Sequence, residues 1–297
     1  SLQCYTVVDD QVVCGFQQEG FKEYLQTLSK WYSEGLIDPD YMSSTSSSNF
    51  MGDSSDDVAD LLNDKISLWG DSADMTVKYD SSNAVDPNFE VRPTVLPTLE
   101  AGDTLKCGEY VSRVDMDYYS LSTSCENPEL ICQFFDYSYT AEGAELQNWG
   151  VEGETYVKNA DGTHSYTDLI INNPDYTVLQ ARGAYLGGNA CLRFMEAYHA
   201  LHNDLQMECF DVWNSNYTGE HHVSGNLVMT TDESTRFSEV SGDLITYLNE
   251  CVAKFIVGEK NFDSDYDEFL QNLVSFGIED LNKIEQAVYD RWAGLSE

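Results

Sequence analysis

The chain of 297 residues contains 52 acidic and 15 basic side chains, which give a formal net charge of −37 at pH 7. A surface of this charge repels phosphate backbones, so nucleic-acid binding is disfavoured, and it favours a soluble, monomeric protein. Hydrophobic residues make up 42% of the chain, which is enough for a packed core. Because domains typically run ~50–250 residues, the length predicts one large or two ordinary domains. No apolar run approaches the ~18 residues of a membrane helix.

The eight cysteines carry no metal or redox signature. None forms a Cys-x-x-Cys pair, so neither a zinc ribbon nor a thioredoxin-like motif is supported. Several occupy apolar positions of predicted helices, where cysteine acts as a small hydrophobic residue. Cys4 and Cys14 flank a predicted hairpin and are candidates for a disulfide.

The N-terminal region predicts a hairpin followed by a helix. Residues 4–16 alternate around Asp9 and Asp10, the pattern of two short strands joined by a turn. Helical spacing then predicts a helix that ends at Gly35. Its apolar positions are Phe21, Tyr24, Leu25, Leu28 and Tyr32.

A Ser-rich loop is expected at 43–55. It is followed by a predicted helix at 57–62 and a predicted strand at 65–69. A further strand is expected at 118–124.

Helix-start signals recur in the middle of the chain. Asn127 before Pro128 predicts a helix, because Asn is a favoured N-cap and proline is favoured at the first helical position. Its apolar face would contain Leu130, Ile131, Phe134 and Phe135. Thr140 is predicted to cap a second short helix.

That second helix leads into a turn bracketed by Gly150 and Gly153. Two glycines this close indicate a chain path that other residues would not adopt easily. The turn feeds a predicted hairpin formed by 155–157 and 165–167. Taken alone, the stretch is explained by a structural role.

The C-terminal third predicts helices. Residues 170–230 show little periodicity apart from a helix expected at 190–202. Three amphipathic helices follow, the first two ending at Gly258 and Gly277. Their apolar stripes are Leu244, Leu248, Cys251 and Phe255, then Phe269, Leu270 and Leu273, then Leu281, Ile284, Val288 and Trp292.

Neither a metal site nor a cofactor is predicted. Asp263, Asp265 and Asp267 imitate the start of a calcium loop, but its glycine would fall on Glu268 and its bidentate glutamate on Val274. An acidic helix N-terminus explains the aspartates better.

The other candidate ligands are equally incomplete. His199 and His202, with Cys209 downstream, lack a fourth zinc ligand. No nucleophile, P-loop or dinucleotide fingerprint occurs. With 52 acids in the chain, no carboxylate pair indicates a glycosidase.

The glycine turn nevertheless carries a resemblance. The run Gly150-Val151-Glu152-Gly153, with Tyr156 three residues on, resembles the Gly-Ile-Glu-Gly-x-x-Tyr signature of large oligosaccharide-type solute-binding lipoproteins of ABC importers. The stretches 12–39, 89–99, 125–153 and 244–292 also resemble that family's patterns. The resemblance covers most of the chain outside 170–230 but lacks the family's calcium-loop-like segment, so the chain resembles the C-terminal portion.

The resemblance implies an α/β fold, periplasmic-binding-protein-like of type II, with one lobe plus part of the second. Residues 1–99 would form the first lobe. Residues 100–230 would cross the hinge into the other lobe with its hairpin insert, and 231–297 would return as helices to the first lobe.

The implied function is non-catalytic binding of a sugar or oligosaccharide for delivery to an ABC-importer permease, outside the cell and with a lipid anchor outside this chain. The family's ligand-contacting tryptophans, the arginine between them and the acid before the second tryptophan correspond by order along the chain to Trp69, Trp213, Arg113 and Glu208. Asp71 lies just beyond Trp69, and Tyr217 follows Trp213 in a polar stretch expected as a loop from 208 onwards, so both complete the candidate ligand-binding set. Aromatic rings pack on the C–H faces of sugars, while charged side chains bind hydroxyls. The alternatives are a fragment of an extracellular carbohydrate-active enzyme, or a peptide- or lipid-binding member of the same fold.

Overall fold

The structure is a computed structural model that describes residues 5–39, 55–70, 72–73, 76, 79, 81–100, 102–105, 119–186, 191–215, 218 and 228–295. Two antiparallel hairpins occur in these residues, β1 (Tyr5–Val8) with β2 (Gln11–Cys14), and β3 (Tyr156–Lys158) with β4 (His164–Tyr166). The helices are α1 (Glu19–Ser33), α2 (Ser55–Leu62), α3 (Pro128–Ser138), α4 (Ala141–Asn148), α5 (Asp168–Ile171), α6 (Val178–Tyr185), α7 (Met195–His199), α8 (Asp204–Trp213), α9 (Thr231–Ile256), α10 (Tyr266–Ser275) and α11 (Ile278–Leu295).

The predicted N-terminal hairpin is confirmed. Asp9 and Asp10 have φ of 50° and 61°, the left-handed pair that a two-residue hairpin turn needs and that aspartate tolerates. The hairpin lies on α11, because the Val12 amide donates to Gln286 Oε1 over 2.7 Å. The Tyr5 hydroxyl donates to Asn282 Oδ1 on the same helix over 3.1 Å.

A first hydrophobic core joins the two ends of the chain. Helix α9 contacts α1, α10 and α11, and α11 contacts β2. The predicted apolar stripes form this core, which buries Leu25, Leu244, Phe255, Phe269, Leu281 and Val288 among others. Full burial of such a side chain contributes about 1.5–3 kcal/mol. Trp292, the last residue of the third stripe, is instead exposed near the end of α11.

The helix boundaries of this region follow their predicted signals. Gly35, Gly258 and Gly277 all have positive φ just beyond α1, α9 and α10, as glycines that terminate helices do. Helix α9 begins at Thr231, well before Leu244, the first residue of the predicted apolar stripe. It starts at a capping box in which Thr230 and Glu233 satisfy each other's backbone N–H groups.

A second core surrounds Trp149, the residue after α4. It buries Tyr156 and Tyr166 of the second hairpin together with Ile170, Leu186 and Ala197. The Trp149 ring centroid lies 4.7 Å from that of Tyr166 and 5.9 Å from that of Tyr156. The predicted Thr140 cap is confirmed, since its hydroxyl accepts the Gly143 amide over 3.1 Å.

The glycine turn connects α4 to this hairpin. Gly150 and Gly153 have φ of 86° and 85°, so the forced chain path predicted from sequence is confirmed. The Thr155 hydroxyl donates to the Trp149 carbonyl and accepts the Val151 amide, both over 2.7 Å. The turn therefore holds Trp149 against the hairpin.

The strands predicted at 65–69 and 118–124 are wrong for the residues that the structure describes. The backbone of these stretches is not paired in a sheet, since the sheets among the described residues are β1–β2 and β3–β4. A stretch with alternating apolar residues forms a strand only where another strand is available to pair with it.

Three helix predictions also need correction. Residues 208–213, expected as a loop, form the end of α8. The helix expected at 190–202 is confined to α7. The apolar face of α3 is largely exposed, with Leu130 at 63% and Phe134 at 66%.

Some expectations fall outside the described residues or stay untested. The loop at 43–54 and Cys4 lie outside them.

None of the described helices has the length and apolar character needed to cross a membrane. Helices α9 and α11 contact α1 and β2. The division into lobes at 99 and 230, with the C-terminal return to the first lobe, stays a prediction.

The two glycines of the turn differ in their surroundings, which gives a matched pair of variants. An added Cβ at Gly150 would lie 2.3 Å from Thr155 Oγ1 and 2.6 Å from Leu186 Cδ2, whereas at Gly153 it meets open space. Both substitutions carry the left-handed cost of about 1–2 kcal/mol. Denaturant unfolding should show Gly150→Ala to be clearly more destabilising than Gly153→Ala. Equal losses would contradict the tight packing at Gly150.

The ion pair between Glu233 and Arg291 predicts a pH dependence of stability. The two side chains lie 2.7 Å apart, and the Arg291 hydrogen bond, helped by Thr230, holds the pKa of Glu233 down to about 2. The unfolded value is about 4.3, so ionised Glu233 stabilises the fold above that pH, and this contribution is lost as the pH falls towards 2.

Denaturant unfolding between pH 7 and pH 3 tests this. Glu233→Gln should be less stable than the wild type at pH 7, and the difference should narrow as the pH falls. Glu23→Gln, at an exposed position on α1, should follow the wild type throughout. A Glu233→Gln deficit that does not change with pH would contradict the ion-pair account.

Candidate functional site

Trp69 lies in an irregular segment after α2 and is half-buried. Its indole N–H donates to the Tyr79 hydroxyl over 3.0 Å, and the two rings meet edge to face with centroids 5.2 Å apart. Because Tyr79 is buried, it anchors the indole and satisfies its one donor. The rest of the Trp69 indole is apolar.

Glu208 and Trp213 share α8, which begins at a capping box between Asn203 and Gln206. Trp213 stands one turn after the buried Cys209, so it is half-buried on that side of the helix. Burial, with a smaller effect of the neighbouring Glu208, raises the pKa of the Cys209 thiol. That thiol is therefore held protonated and acts as a packing group.

The Glu208 carboxylate accepts a hydrogen bond from Arg92 Nη1 over 2.8 Å. Arg92 also pairs with Glu90, so one guanidinium bridges two carboxylates from distant parts of the sequence. The hydrogen bond that Arg92 donates to Glu208, followed by the one that it donates to Glu90, raises the pKa of Arg92. This link ties the segment before Pro93 to α8.

The sequence indicated Arg113 as the site arginine, whereas the structure brings Arg92 to the predicted Glu208. One sequence signal could have selected Arg92, because the chain contains only six arginines and Arg92 lies in the stretch 89–99 that resembles the family pattern. The contact with Glu208 spans 116 positions, a separation that no local pattern encodes.

The six predicted site residues are only partly tested by the geometry. Asp71, Arg113 and Tyr217 lie outside the described residues. Of the described three, Glu208 is brought to Arg92, while no hydrogen bond or ring contact within the described part of the chain joins Trp69 to Glu208 or Trp213.

The histidines near α8 take part in aromatic packing. The His202 ring lies 4.4 Å from the Tyr198 ring and 5.4 Å from that of Phe210, and the His199 ring lies 6.1 Å from Phe210. Across the residues that the structure describes, no group of three His, Cys, Asp or Glu side chains could hold a metal ion.

Removing the Tyr79 hydroxyl tests how Trp69 is held. In Tyr79→Phe the indole N–H loses its acceptor, which typically costs ~1 kcal/mol. The Trp69 indole N–H signal in NMR should move and exchange faster with solvent. Tyr24→Phe, at an exposed tyrosine on α1, serves as the control. An unchanged Trp69 signal in Tyr79→Phe would show that the hydrogen bond does not hold the ring.

Comparison with known proteins identifies the fold. No family model matches the chain. A curated relative, the fructooligosaccharide ABC transporter substrate-binding protein FusA of Streptococcus pneumoniae serotype 4, is 20% identical over 309 residues, covering 96% of this chain and 53% of the relative. A solved structure of FusA in complex with kestose aligns over 98% of this chain with a TM-score of 0.62 and 18% identity.

Two further solved structures align as well. The alginate-binding protein AlgQ2 without calcium ion has a TM-score of 0.67 at 19% identity over 96% of this chain. An HMO-binding, ABC-transporter-associated solute-binding protein of Bifidobacterium longum infantis has a TM-score of 0.67 at 15% identity over 97%. In both cases 57% of the other chain is covered, so this chain spans little more than half the length of these proteins. The chain has the periplasmic-binding-protein-like fold of ABC-transporter solute-binding proteins.

Proposed function

We propose that this chain takes part in non-catalytic binding of a sugar or oligosaccharide for delivery to an ABC importer. The observation that carries the proposal is the alignment of 96% of the chain to a solved alginate-binding protein with a TM-score of 0.67. The curated relative described as a fructooligosaccharide-binding protein supports the same substrate class.

The described part of the candidate site suits a sugar. Trp69 presents a half-buried ring whose polar edge is already bonded to Tyr79, so its remaining surface offers what the C–H face of a sugar packs on. Trp213 offers a second half-buried indole on α8. Glu208 can accept hydrogen bonds from hydroxyls, with Arg92 fixing its position from 2.8 Å away.

We include Asp71, Arg113 and Tyr217 in this site on their sequence positions alone. The permease is the expected partner, and the expected location is outside the cell with a lipid anchor outside this chain. A monomer is expected from the net charge of −37. No metal or cofactor is required, because stacking and hydrogen bonds suffice to bind a sugar.

Calorimetric titration with a saccharide panel tests the proposal. The panel should contain fructooligosaccharides, milk-type oligosaccharides and alginate fragments, with a short peptide and a fatty acid as probes of the alternatives. We expect saturable binding of at least one saccharide, and product analysis should show it intact afterwards. Binding of the peptide or fatty acid alone, or cleavage of the saccharide, would contradict the proposal.

Single substitutions then test the site. Trp69→Ala should weaken saccharide binding by about 1–3 kcal/mol, the range for aromatic anchors in binding sites. Trp31→Ala is the matched control, because Trp31 is an exposed tryptophan on α1. Equal affinity in both variants would place the saccharide elsewhere.

A further inference from the structure

A pocket lies where the end of α3, one face of α4 and the start of β3 meet. Its described lining residues are Tyr137, Glu142, Glu145, Leu146, Gly150 and Tyr156. Glu142, Glu145 and Leu146 are spaced by three and four positions on α4, so they share one face of that helix. Gly150 places the glycine turn at the border of the pocket. Trp69, Glu208 and Trp213 are not among the described lining residues.

The size of the pocket suits one sugar unit. Its volume is about 250 Å³, far above the ~10–15 Å³ that a single water needs. It stays below the ~300–1,000 Å³ of typical pockets for drug-sized molecules. Because the pocket is open to solvent, the remainder of an oligosaccharide can extend out of it.

Tyr137 gives the pocket an exposed aromatic wall. It stands in the last turn of α3 and is 41% exposed. Partial burial, followed by the charge of the nearby Glu142, raises the pKa of the Tyr137 hydroxyl, so this group stays protonated at neutral pH. An exposed ring beside acceptor oxygens is the combination that binds both the C–H face and the hydroxyls of a sugar.

Glu145 is a fixed hydrogen-bond acceptor in this pocket. Its Oε1 accepts the Tyr156 hydroxyl over 2.6 Å and lies 2.8 Å from Lys158 Nζ. The Lys158 hydrogen bond, followed by that from Tyr156, lowers the pKa of Glu145, so the carboxylate is ionised at neutral pH. Within the described part of the chain these partners, and the more distant His164, all contact Oε1. Oε2 is therefore left to accept a hydrogen bond from a ligand.

The second core fixes this carboxylate in place. Tyr156 is buried, and its ring centroid lies 5.9 Å from that of the buried Trp149. A tyrosine held in this way cannot move its hydroxyl far, so the acceptor is oriented before any ligand arrives.

The local charges favour a neutral, hydroxylated ligand. Lys158 lies 2.8 Å from Glu145 and 3.5 Å from Glu152, so it compensates the carboxylates on this side of the pocket. An amine would compete with Lys158 for Glu145, and an anion would be repelled by Glu142 and Glu145. Sugar hydroxyls instead donate to a carboxylate through short, charge-assisted hydrogen bonds.

We propose that the pocket between α3, α4 and β3 binds one neutral sugar unit, with the Tyr137 ring against its C–H face and Glu145 and Glu142 accepting its hydroxyls. This second saccharide contact rests on the proposed saccharide-binding function but not on the Trp69 site.

Calorimetric titration of the full chain with kestose, a neutral milk-type trisaccharide and an alginate trisaccharide tests the pocket. We expect a neutral trisaccharide to bind more tightly than the acidic one. Tyr137→Ala should then weaken its binding roughly tenfold or more, as loss of an aromatic anchor does. Tyr137→Phe should keep most of the affinity because it keeps the ring. Tyr139→Ala, which removes an exposed tyrosine that does not line the pocket, should bind as the wild type does.

NMR of the wild type gives a second measurement that needs no variant to fold. Addition of the same trisaccharide should shift the Tyr137 ring signals and leave those of Tyr139 unchanged. If Tyr137→Ala binds as tightly as Tyr139→Ala, or the Tyr137 signals do not shift, the pocket proposal is overturned while saccharide binding stands. Binding of the alginate trisaccharide alone also overturns it, and no binding of any trisaccharide overturns both proposals.

Discussion

Burial of one apolar face of α9 is the interaction on which the rest of the structure depends. Leu244, Leu248 and Phe255 lie along this face at helical spacing and are almost completely shielded from solvent. Against them pack α1 from the beginning of the chain and α10 and α11 from its end. Helix α11 also binds the N-terminal hairpin through Asn282 and Gln286. Substitutions that remove the apolar face of α9 would therefore detach both the N-terminal and the C-terminal elements from the first core.

The second core follows the same principle on a smaller scale, with backbone constraint in place of helix packing. Trp149 is enclosed by the hairpin β3–β4, and Thr155 ties the intervening turn to the Trp149 carbonyl. The side-chain amides of the adjacent Gln147 and Asn148 hydrogen-bond the backbone at residues 191, 192 and 194. One short helix end thus supports both the hydrophobic core and the segment that leads into α7.

Local signals allowed much of the fold to be predicted from the sequence. Thr140, Gly258 and Gly277 mark helix boundaries through capping and positive φ, effects that depend on a few neighbouring residues. The stripes of α9, α10 and α11 were predictable because helical periodicity repeats over many turns. The strand predicted at 65–69 was wrong because alternation does not specify a pairing partner.

The candidate site was less predictable, for a related physical reason. Trp69 could be selected by residue type, but its anchor Tyr79 lies ten positions on, and the Arg92–Glu208 pair is brought together by chain folding alone. Trp213 was placed in a loop because α8 is short and its hydrophobic pattern is weak, although the Asn203–Gln206 capping box marks its start. Tertiary contacts of this kind leave no trace in local spacing.

The most direct test of the binding account is a crystal structure with a saccharide bound. The account predicts an intact saccharide with one ring packed on the face of Trp69 and a hydroxyl within hydrogen-bonding distance of Glu208. A saccharide bound away from both residues, or found cleaved at a pair of carboxylates, would contradict it.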